Sequence, residues 1–199
     1  ADTLYTIAKD LNMPNGIAFK DGALYVAEIN KLWRYDAIED HIDDPKATLI
    51  YDDFPEDSHH GWKYISFGPD GKLYVPVGAP CNVCETKDDT YYASIISMDA
   101  DGTHRQVVAK GVRNTVGLTW HPVTGELWFT DNGRDLLGDD LPPCELNRLS
   151  AVGQHFGFPY CHAGELLDPE FGKDKSCENY TSPALKLGPH IAPLGLKFY

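Results

Sequence analysis

The chain has 199 residues, of which 42% are apolar and 12% aromatic, a composition typical of a folded globular protein. Its 30 acidic and 17 basic residues give a net charge of −13 without a local Lys/Arg cluster, so nucleic acid is not an expected partner. No apolar run reaches the roughly 18 residues of a membrane-spanning helix, and no basic-then-apolar leader opens the chain. We therefore expect one folded unit over residues 1–199, without a membrane span.

Three stretches share one pattern, in which an apolar strand and a Gly-bearing turn precede a second strand of Leu, an aromatic residue and apolar residues. They are GIAFKDGALYVAE (16–28), YISFGPDGKLYVPVG (64–78) and GLTWHPVTGELWFTDNG (117–133). The aromatic residues that close the first strand, Phe19, Phe67 and Trp120, recur about every 50 residues, which indicates a structural repeat. GLKFY at 195–199 resembles a fourth start, with Phe198 in the aromatic position.

Further strand-like pieces lie between these hairpins. They are KLWRYD (31–36), TLIYDDF (48–54), ASIISMD (93–99) and RQVVAKG (105–111). Together with the hairpins they give about four strands per repeat, which is the pattern of a β-propeller blade. The sequence therefore predicts an all-β fold, a single partial β-propeller over residues 1–199 with three to four blades' worth of chain.

Residues 131–178 exceed one repeat and are rich in Gly, Pro and carboxylates, which predicts a long inserted loop. A helix is not expected over 131–145, because two glycines and two prolines interrupt that segment. Oxygen ligands suited to calcium are concentrated there: Asp131, Asp135, Asp139, Asp140 and Glu145. Since the spacing is not that of an EF-hand loop, a solvated acidic loop is an equal alternative.

The five cysteines bear on the cellular compartment. Cys161 and Cys177 flank a loop that a disulfide could close, Cys81 and Cys84 form a CxxC pair, and Cys144 is left over. Zinc binding and unpaired thiols remain alternatives, but no second pair at zinc-finger spacing is present. We expect two structural disulfides and an oxidising compartment, either the periplasm or the cell exterior.

His59 and His60 stand at the entrance of the second hairpin. On position alone, they could be a polar strand edge, a metal-binding pair or a proton acceptor.

Three long motifs together carry a family resemblance: HHGWKYISFGPDGKLYVPVGAPCNVC, GVRNTVGLTWHPVTGELWFTDNGRDLLGDDLPP and GQHFGFPYCHAG. They resemble the glucose/sorbosone dehydrogenase family that depends on pyrroloquinoline quinone (PQQ), and most closely its sorbosone dehydrogenase-like branch. The resemblance implies a six-bladed β-propeller that oxidises sugars or related polyols with PQQ held by calcium at the propeller axis. Since members of that family are about twice as long, it also implies a partial propeller, which is either a section of a longer protein or a chain whose copies associate to close a ring.

The same resemblance implies roles for individual residues. His60 matches the general base, which precedes the Gly of Gly-Pro-Asp by eight positions, and His59 lies where substrate would be contacted. Arg113 and Asn114 match an Arg-Asn pair that contacts PQQ, with Arg113 also stabilising charge on the quinone. Backbone carbonyls at Asp139 and Asp140 match the calcium turn, which Glu145 would support.

Two positions depart from the family pattern. Ala79 stands where glucose-oxidising relatives have a carboxylate that orients the base, and Cys144 replaces an expected Asp. Two other classes of protein remain alternatives, a calcium-dependent six-bladed lactonase and a non-catalytic binding propeller. The expected partners are a small sugar and an electron acceptor that the sequence does not identify.

Overall fold

Antiparallel strands joined by tight turns dominate the computed structural model, which describes residues 3–87 and 91–199. The first hairpin turns at Asp21 and Gly22, which have φ values of 51° and 79°. Two consecutive residues with positive φ favour a turn whose twist matches that of the flanking strands, and Gly adopts this conformation at no steric cost. Local sequence thus sets the first strand pair.

Three four-stranded units follow one another along the chain and confirm the predicted propeller blades. Blade one is β1 (Gly16–Lys20), β2 (Ala23–Ala27), β3 (Leu32–Tyr35) and β4 (Ala47–Tyr51). Blade two is β5 (Ser66–Phe67), β6 (Leu73–Val77), β7 (Ser94–Met98) and β8 (Gln106–Lys110). Blade three begins with β9 (Leu118–Trp120), β10 (Leu127–Asp131) and β11 (Pro143–Leu149). After β12 (Gln154–His155), β13 (Cys161–His162), β14 (Leu166–Leu167) and a 3₁₀ helix (Cys177–Asn179), β15 (Leu185–Pro189) completes it.

The repeated aromatic residues pack at the boundaries between blades. The aromatic residue of each second strand meets the one that closes the next first strand, edge to face, in the pairs Tyr25–Phe67, Tyr74–Trp120 and Trp128–Phe198. Their ring centroids are 4.8, 5.0 and 5.8 Å apart. Aromatic pairs at these distances add about 0.5–1.5 kcal/mol to the burial of the rings. The sequence repeat therefore reflects one contact made at each successive boundary.

Two glycines allow the blades to approach closely. A Cβ at Gly16 would lie 1.9 Å from the carbonyl oxygen of Lys63, and a Cβ at Gly117 would lie 2.1 Å from that of Leu194. Each contact joins the start of one blade to the start of the next. Leu194 and Phe198 thus occupy the place of a fourth blade start, although residues 190–199 form no strand, contrary to the strand expected at GLKFY.

The structure corrects the expectation that residues 131–178 are one long loop. Asp131 ends β10, β11 supplies the third strand of blade three, and the insertion proper lies between β11 and β15. Within that insertion β12 runs parallel to β8 as a fifth strand of blade two. The expectation of no helix over 131–145 agrees with the structure, in which residues 132–142 are irregular.

A buried ion pair fastens the insertion to blade three. Asp168 accepts hydrogen bonds from the Arg134 guanidinium at 2.5 Å and from Nε2 of His162 at 2.9 Å. Burial alone would raise the pKa of Asp168, but the hydrogen bonds it accepts outweigh this and lower the pKa to about 2. Asp168 therefore remains ionised and keeps both partners.

Across the described ranges, the structure contains no helix with the length and apolar character needed to cross a membrane.

Candidate active site

A cavity of about 460 Å³ lies where the starts of successive blades converge. Asn15, Tyr64, Val116 and Leu194, which come from four successive repeat positions, line it together with residues of the His59–His60 segment. A volume in this range accommodates a cofactor-sized ligand. The cavity therefore marks the propeller axis and brings the sequence-predicted histidines to it.

His60 is held in an unusual backbone conformation. Its φ is 51°, in the left-handed region that costs a non-glycine residue about 1 kcal/mol or more. Two hydrogen bonds close the turn, from Gly61 N to Ser58 O at 3.1 Å and from Nζ of the buried Lys63 to Gly61 O at 2.6 Å. The surrounding structure thus fixes a conformation that the sequence alone would not favour.

The absence of a side chain at Gly78 leaves space for His60. A Cβ at Gly78 would lie 2.5 Å from the Cβ of His60 and 2.7 Å from its carbonyl oxygen. Only glycine fits this approach without displacement, so the end of β6 passes directly beneath the histidine.

The backbone of Ala79 orients the His60 ring. Nδ1 of His60 lies 2.9 Å from the Ala79 carbonyl oxygen, which can only accept a hydrogen bond. Nδ1 therefore carries the proton, and Nε2 is left with its lone pair. Where the resemblance implied an orienting carboxylate, this chain thus supplies a main-chain carbonyl.

The electrostatic surroundings keep His60 neutral. Burial, followed by the positive charge of Arg113, lowers its pKa to about 4, although the hydrogen bond to Ala79 acts in the opposite direction. The imidazole is thus unprotonated at neutral pH, as a general base must be.

His59 lies beside His60, exposed in the same cavity, and its ring centroid is 4.0 Å from that of His60. This placement suits contact with a ligand.

Arg113 is held by neighbouring loops of the protein. Its guanidinium is buried, and its five N–H donors all meet acceptors in the protein. The acceptors are Asn82 O (2.8 Å), Asn132 O (3.1 Å), Gly133 O (2.9 Å), Asn82 Oδ1 (3.0 Å) and Asp135 Oδ2 (3.4 Å). All five donors are thus engaged within the protein in this structure. Arg113 ties three loops together behind the cavity.

Asn114, predicted to contact PQQ, lines the cavity. Its backbone is held by the buried Asp131, which accepts from the N–H of Arg113 at 2.8 Å and from that of Asn114 at 2.6 Å. Asn132 lies alongside, because its Nδ2 donates to the Asn114 carbonyl at 3.0 Å. Two amide side chains thus border the cavity opposite the histidines.

The residues expected around calcium are not brought together as side-chain ligands. Asp139 and Asp140 are exposed in the irregular segment, whereas Glu145 is buried in β11 opposite Asp131. Burial and the charge of Asp131 raise the pKa of Glu145, and its oxygens accept from Ala163 N at 2.7 Å and Asn147 Nδ2 at 2.9 Å. Among the described residues, no group of three His, Cys, Asp or Glu side chains could hold a metal. Glu145 thus belongs to the core of blade three.

Both cysteine pairs form disulfides in the structure. Cys81–Cys84 and Cys161–Cys177 have Cα separations of 6.1 and 5.5 Å, within the usual range. Cys144 is a buried thiol.

Three site residues were missed at the sequence level: Ala79, Asn82 and Asn132. Ala79 makes its contact through its backbone carbonyl oxygen, and Asn82 makes one of its contacts in the same way. Every residue has a backbone carbonyl, so the sequence cannot show which ones are used. Asn132 follows a buried strand directly in TDNG, and this polar position was the one available signal.

Comparison with known proteins assigns the chain to a family. The family model described as glucose/sorbosone dehydrogenase matches residues 27–199, and the chain belongs to that family. An uncharacterised protein of Borreliella burgdorferi is 34% identical over 209 residues, which cover 98% of this chain and 54% of that protein. The chain thus spans about half the length of this relative.

Solved structures share the fold at low sequence identity. A calcium structure of a Trichoderma reesei carbohydrate-active enzyme of family AA12 matches with a TM-score of 0.79 at 18% identity, covering 92% of this chain and 57% of that one. The holo PQQ domain of a Coprinopsis cinerea pyranose dehydrogenase gives 0.74 at 15%, covering 96% and 69%. A PQQ-bound aldose sugar dehydrogenase from Streptomyces coelicolor gives 0.62 at 19%, covering 98% and 74%.

Proposed function

We propose that the chain carries the base-bearing part of a PQQ-dependent sugar dehydrogenase. The observation that carries the proposal is the hydrogen bond from Nδ1 of His60 to Ala79 O. This bond leaves Nε2 unprotonated, and His60 lines a cofactor-sized cavity. Nε2 is therefore available as a proton acceptor. The family membership and the PQQ-bound structural neighbours support the same reading.

The cavity lining fits a flat, polar cofactor. Trp62 and Tyr64 offer planar apolar surface, and Asn114 offers an amide side chain. The Nδ2 hydrogens of Asn132 are both donated to backbone carbonyls, those of Asn114 and Pro193. None of the described lining residues is a lysine or arginine, so this part of the site would contribute hydrogen bonds and ring contacts rather than counter-charge. PQQ, when bound, supplies a quinone that accepts hydride, and calcium polarises the quinone oxygens.

Each side chain of the site has its own role in this proposal. His60 takes the proton of a sugar hydroxyl at Nε2 as the adjacent carbon is oxidised to a carbonyl. His59 contacts the sugar at the mouth of the cavity, and Asn114 contacts the cofactor. Arg113 keeps the surrounding loops in place, and its positive charge disfavours protonation of His60. Backbone carbonyls near Asp139 and Asp140 are the proposed calcium ligands.

The location and partners follow from the same assignment. Two disulfides support an oxidising compartment, the periplasm or the cell exterior. The substrate is a small sugar of the aldose or sorbosone type, and a separate acceptor takes the electrons.

The decisive experiment adds PQQ and calcium and follows quinone absorbance together with sugar-dependent dye reduction. His60→Ala should keep PQQ binding and lower sugar oxidation by about 10²–10⁴-fold, because proton transfer is lost while few cofactor contacts change. His104→Ala, an exposed histidine outside the cavity lining, is the matched control. Lactone hydrolysis with calcium alone, unchanged in His60→Ala, would instead identify a hydrolase.

A further inference from the structure

The Cys81-Asn82-Val83-Cys84 loop has a place in the site that the CxxC spacing alone did not reveal. We propose that Asn82, held by the Cys81–Cys84 disulfide, is a positioning residue for His60, and that the intact disulfide is required for this positioning. The inference rests on the proposed function of His60 as the base.

Asn82 makes four polar contacts with two neighbouring loops. Its carbonyl oxygen accepts from Nε of Arg113 at 2.8 Å, and its Oδ1 accepts from the guanidinium of Arg113 at 3.0 Å. Oδ1 also accepts from Asp135 N at 2.8 Å, while Nδ2 donates to Asp135 O at 3.0 Å. Asn82 is therefore the acceptor for two of the five guanidinium donors and fixes where Arg113 lies.

A continuous path of hydrogen bonds leads from Arg113 to the base. The Arg113 carbonyl accepts from Ala79 N at 2.8 Å, and the Ala79 carbonyl accepts from Nδ1 of His60 at 2.9 Å. Ala79 lies only three residues before Asn82, so Arg113 is hydrogen-bonded to both ends of the segment 79–82. A displacement of Asn82 would release the guanidinium and shift the peptide that orients His60.

The disulfide restricts the conformations of the loop that carries Asn82. It closes a ring over four consecutive residues, and Cys81 and Val83 pack on a buried cluster of Ala79, Ala93 and Phe158. A dithiol reductant transfers two electrons to the sulfur–sulfur bond, which yields two cysteine thiols and the oxidised, cyclic form of the reductant. The opened loop regains backbone freedom, which disfavours the single conformation that Asn82 needs.

The first arm of the test replaces Asn82 itself. Asn82→Ala should lower kcat at least tenfold with KM changed less than twofold, and should lower the fraction of His60 in the Nδ1–H tautomer measured by ¹⁵N NMR. Asn82→Asp keeps both acceptor oxygens for Arg113 and should restore most of the turnover and the tautomer. The control is Asn30→Ala, in the equivalent loop of blade one, whose side chain contacts Glu56. Thermal unfolding of each variant verifies the fold.

The second arm opens the disulfide. A dithiol should lower the turnover of the wild-type chain to that of the Cys81→Ser/Cys84→Ser variant, and should leave that variant unchanged, which separates this loop from Cys161–Cys177. Wild-type turnover and tautomer in both Asn82→Ala and the double serine variant would overturn the proposal. If the wild-type chain oxidises no sugar, the proposed function fails, whereas the tautomer measurement still decides whether Asn82 positions His60.

Discussion

The protonation state of His60 sets the pH range in which the site can act. Its pKa is lowered to about 4, first by burial and then by the charge of Arg113. An unperturbed histidine would become protonated near pH 6.5 and lose its function as a base. The folded environment therefore extends the neutral form of His60 well into the acidic range.

We expect sugar oxidation to show an acid limb with an apparent pKa near 4 rather than near 6.5. The same lowering of the His60 pKa determines how the free energy of unfolding depends on pH. Below pH 6.5 the unfolded chain binds a proton at His60 that the native chain rejects, so the free energy of unfolding falls as the pH drops from 6.5 towards 4. Turnover from about pH 4 to 8, and denaturant titrations of the wild type and His60→Asn at pH 7 and 5, measure both effects. A midpoint near 6.5 in the rate profile would contradict the prediction.

The insertion between β11 and β15 has little regular structure, so its order depends on tertiary links. The Cys161–Cys177 disulfide and the Asp168–His162 contact cross-link the insertion internally, and the Asp168–Arg134 ion pair joins it to the β10–β11 loop of blade three. Since β12 in this insertion pairs with blade two, the insertion connects two blades.

Removing the disulfide with Cys161→Ser/Cys177→Ser should lower the free energy of unfolding by about 3 kcal/mol, because the unfolded chain regains the entropy of an open loop. Urea titrations of the variant and the wild type measure the difference. Far-UV circular dichroism should remain that of a β protein, since neither cysteine belongs to a blade. An unchanged midpoint would mean that the Asp168 contacts alone order the insertion.

Sequence patterns predicted the hairpins well but missed the third strand of blade three. The hairpins alternate apolar and polar residues, whereas the buried positions of β11 include Cys144, Glu145 and Asn147. A strand that buries polar side chains shows no apolar period, so it was assigned to a loop. Glu145 itself, predicted to support a calcium turn, lies buried within this strand opposite Asp131.

The motif placed His60 at the cavity, but the means of orienting it could not be predicted. The Ala79 carbonyl and the donors of Arg113 act through geometry that depends on how three loops meet, and residue identity does not specify that geometry.

The outer face of β1 differs from the internal boundaries between blades. Phe19 is 55% exposed and Ile17 is 69% exposed, whereas Phe67, Trp120 and Phe198 each pack against an aromatic residue of the preceding blade. Phe19 occupies the same position in the repeat as these boundary residues but lacks their aromatic partner among the described residues. An apolar face of this kind favours association with another blade.

We expect the isolated chain to self-associate with rising concentration, and Phe19→Lys to reduce the effect by placing a charge on that face. Sedimentation velocity over a concentration series measures the weight-average mass. Val123→Lys is the control, since Val123 is also exposed to solvent, in the β9–β10 turn, but lies away from a blade boundary. A wild-type chain that stays monomeric throughout would contradict the prediction.

The parallel strand β12 also affects which edge strands of the blades are free to pair with another protein chain. Backbone N–H groups of Gly153, Phe156 and Phe158 donate to the carbonyl oxygens of Val108, Lys110 and Gly111, so the outer side of β8 is already paired. In blade one, the outer side of β4 has no strand partner within the described residues, and most of its side chains are exposed. Unpaired edges are templates on which a misfolded chain adds as a further strand. The outer side of β15 in blade three likewise has no strand partner within the described residues. We therefore expect fibril growth to begin at β4 or β15 rather than at β8, which the insertion covers.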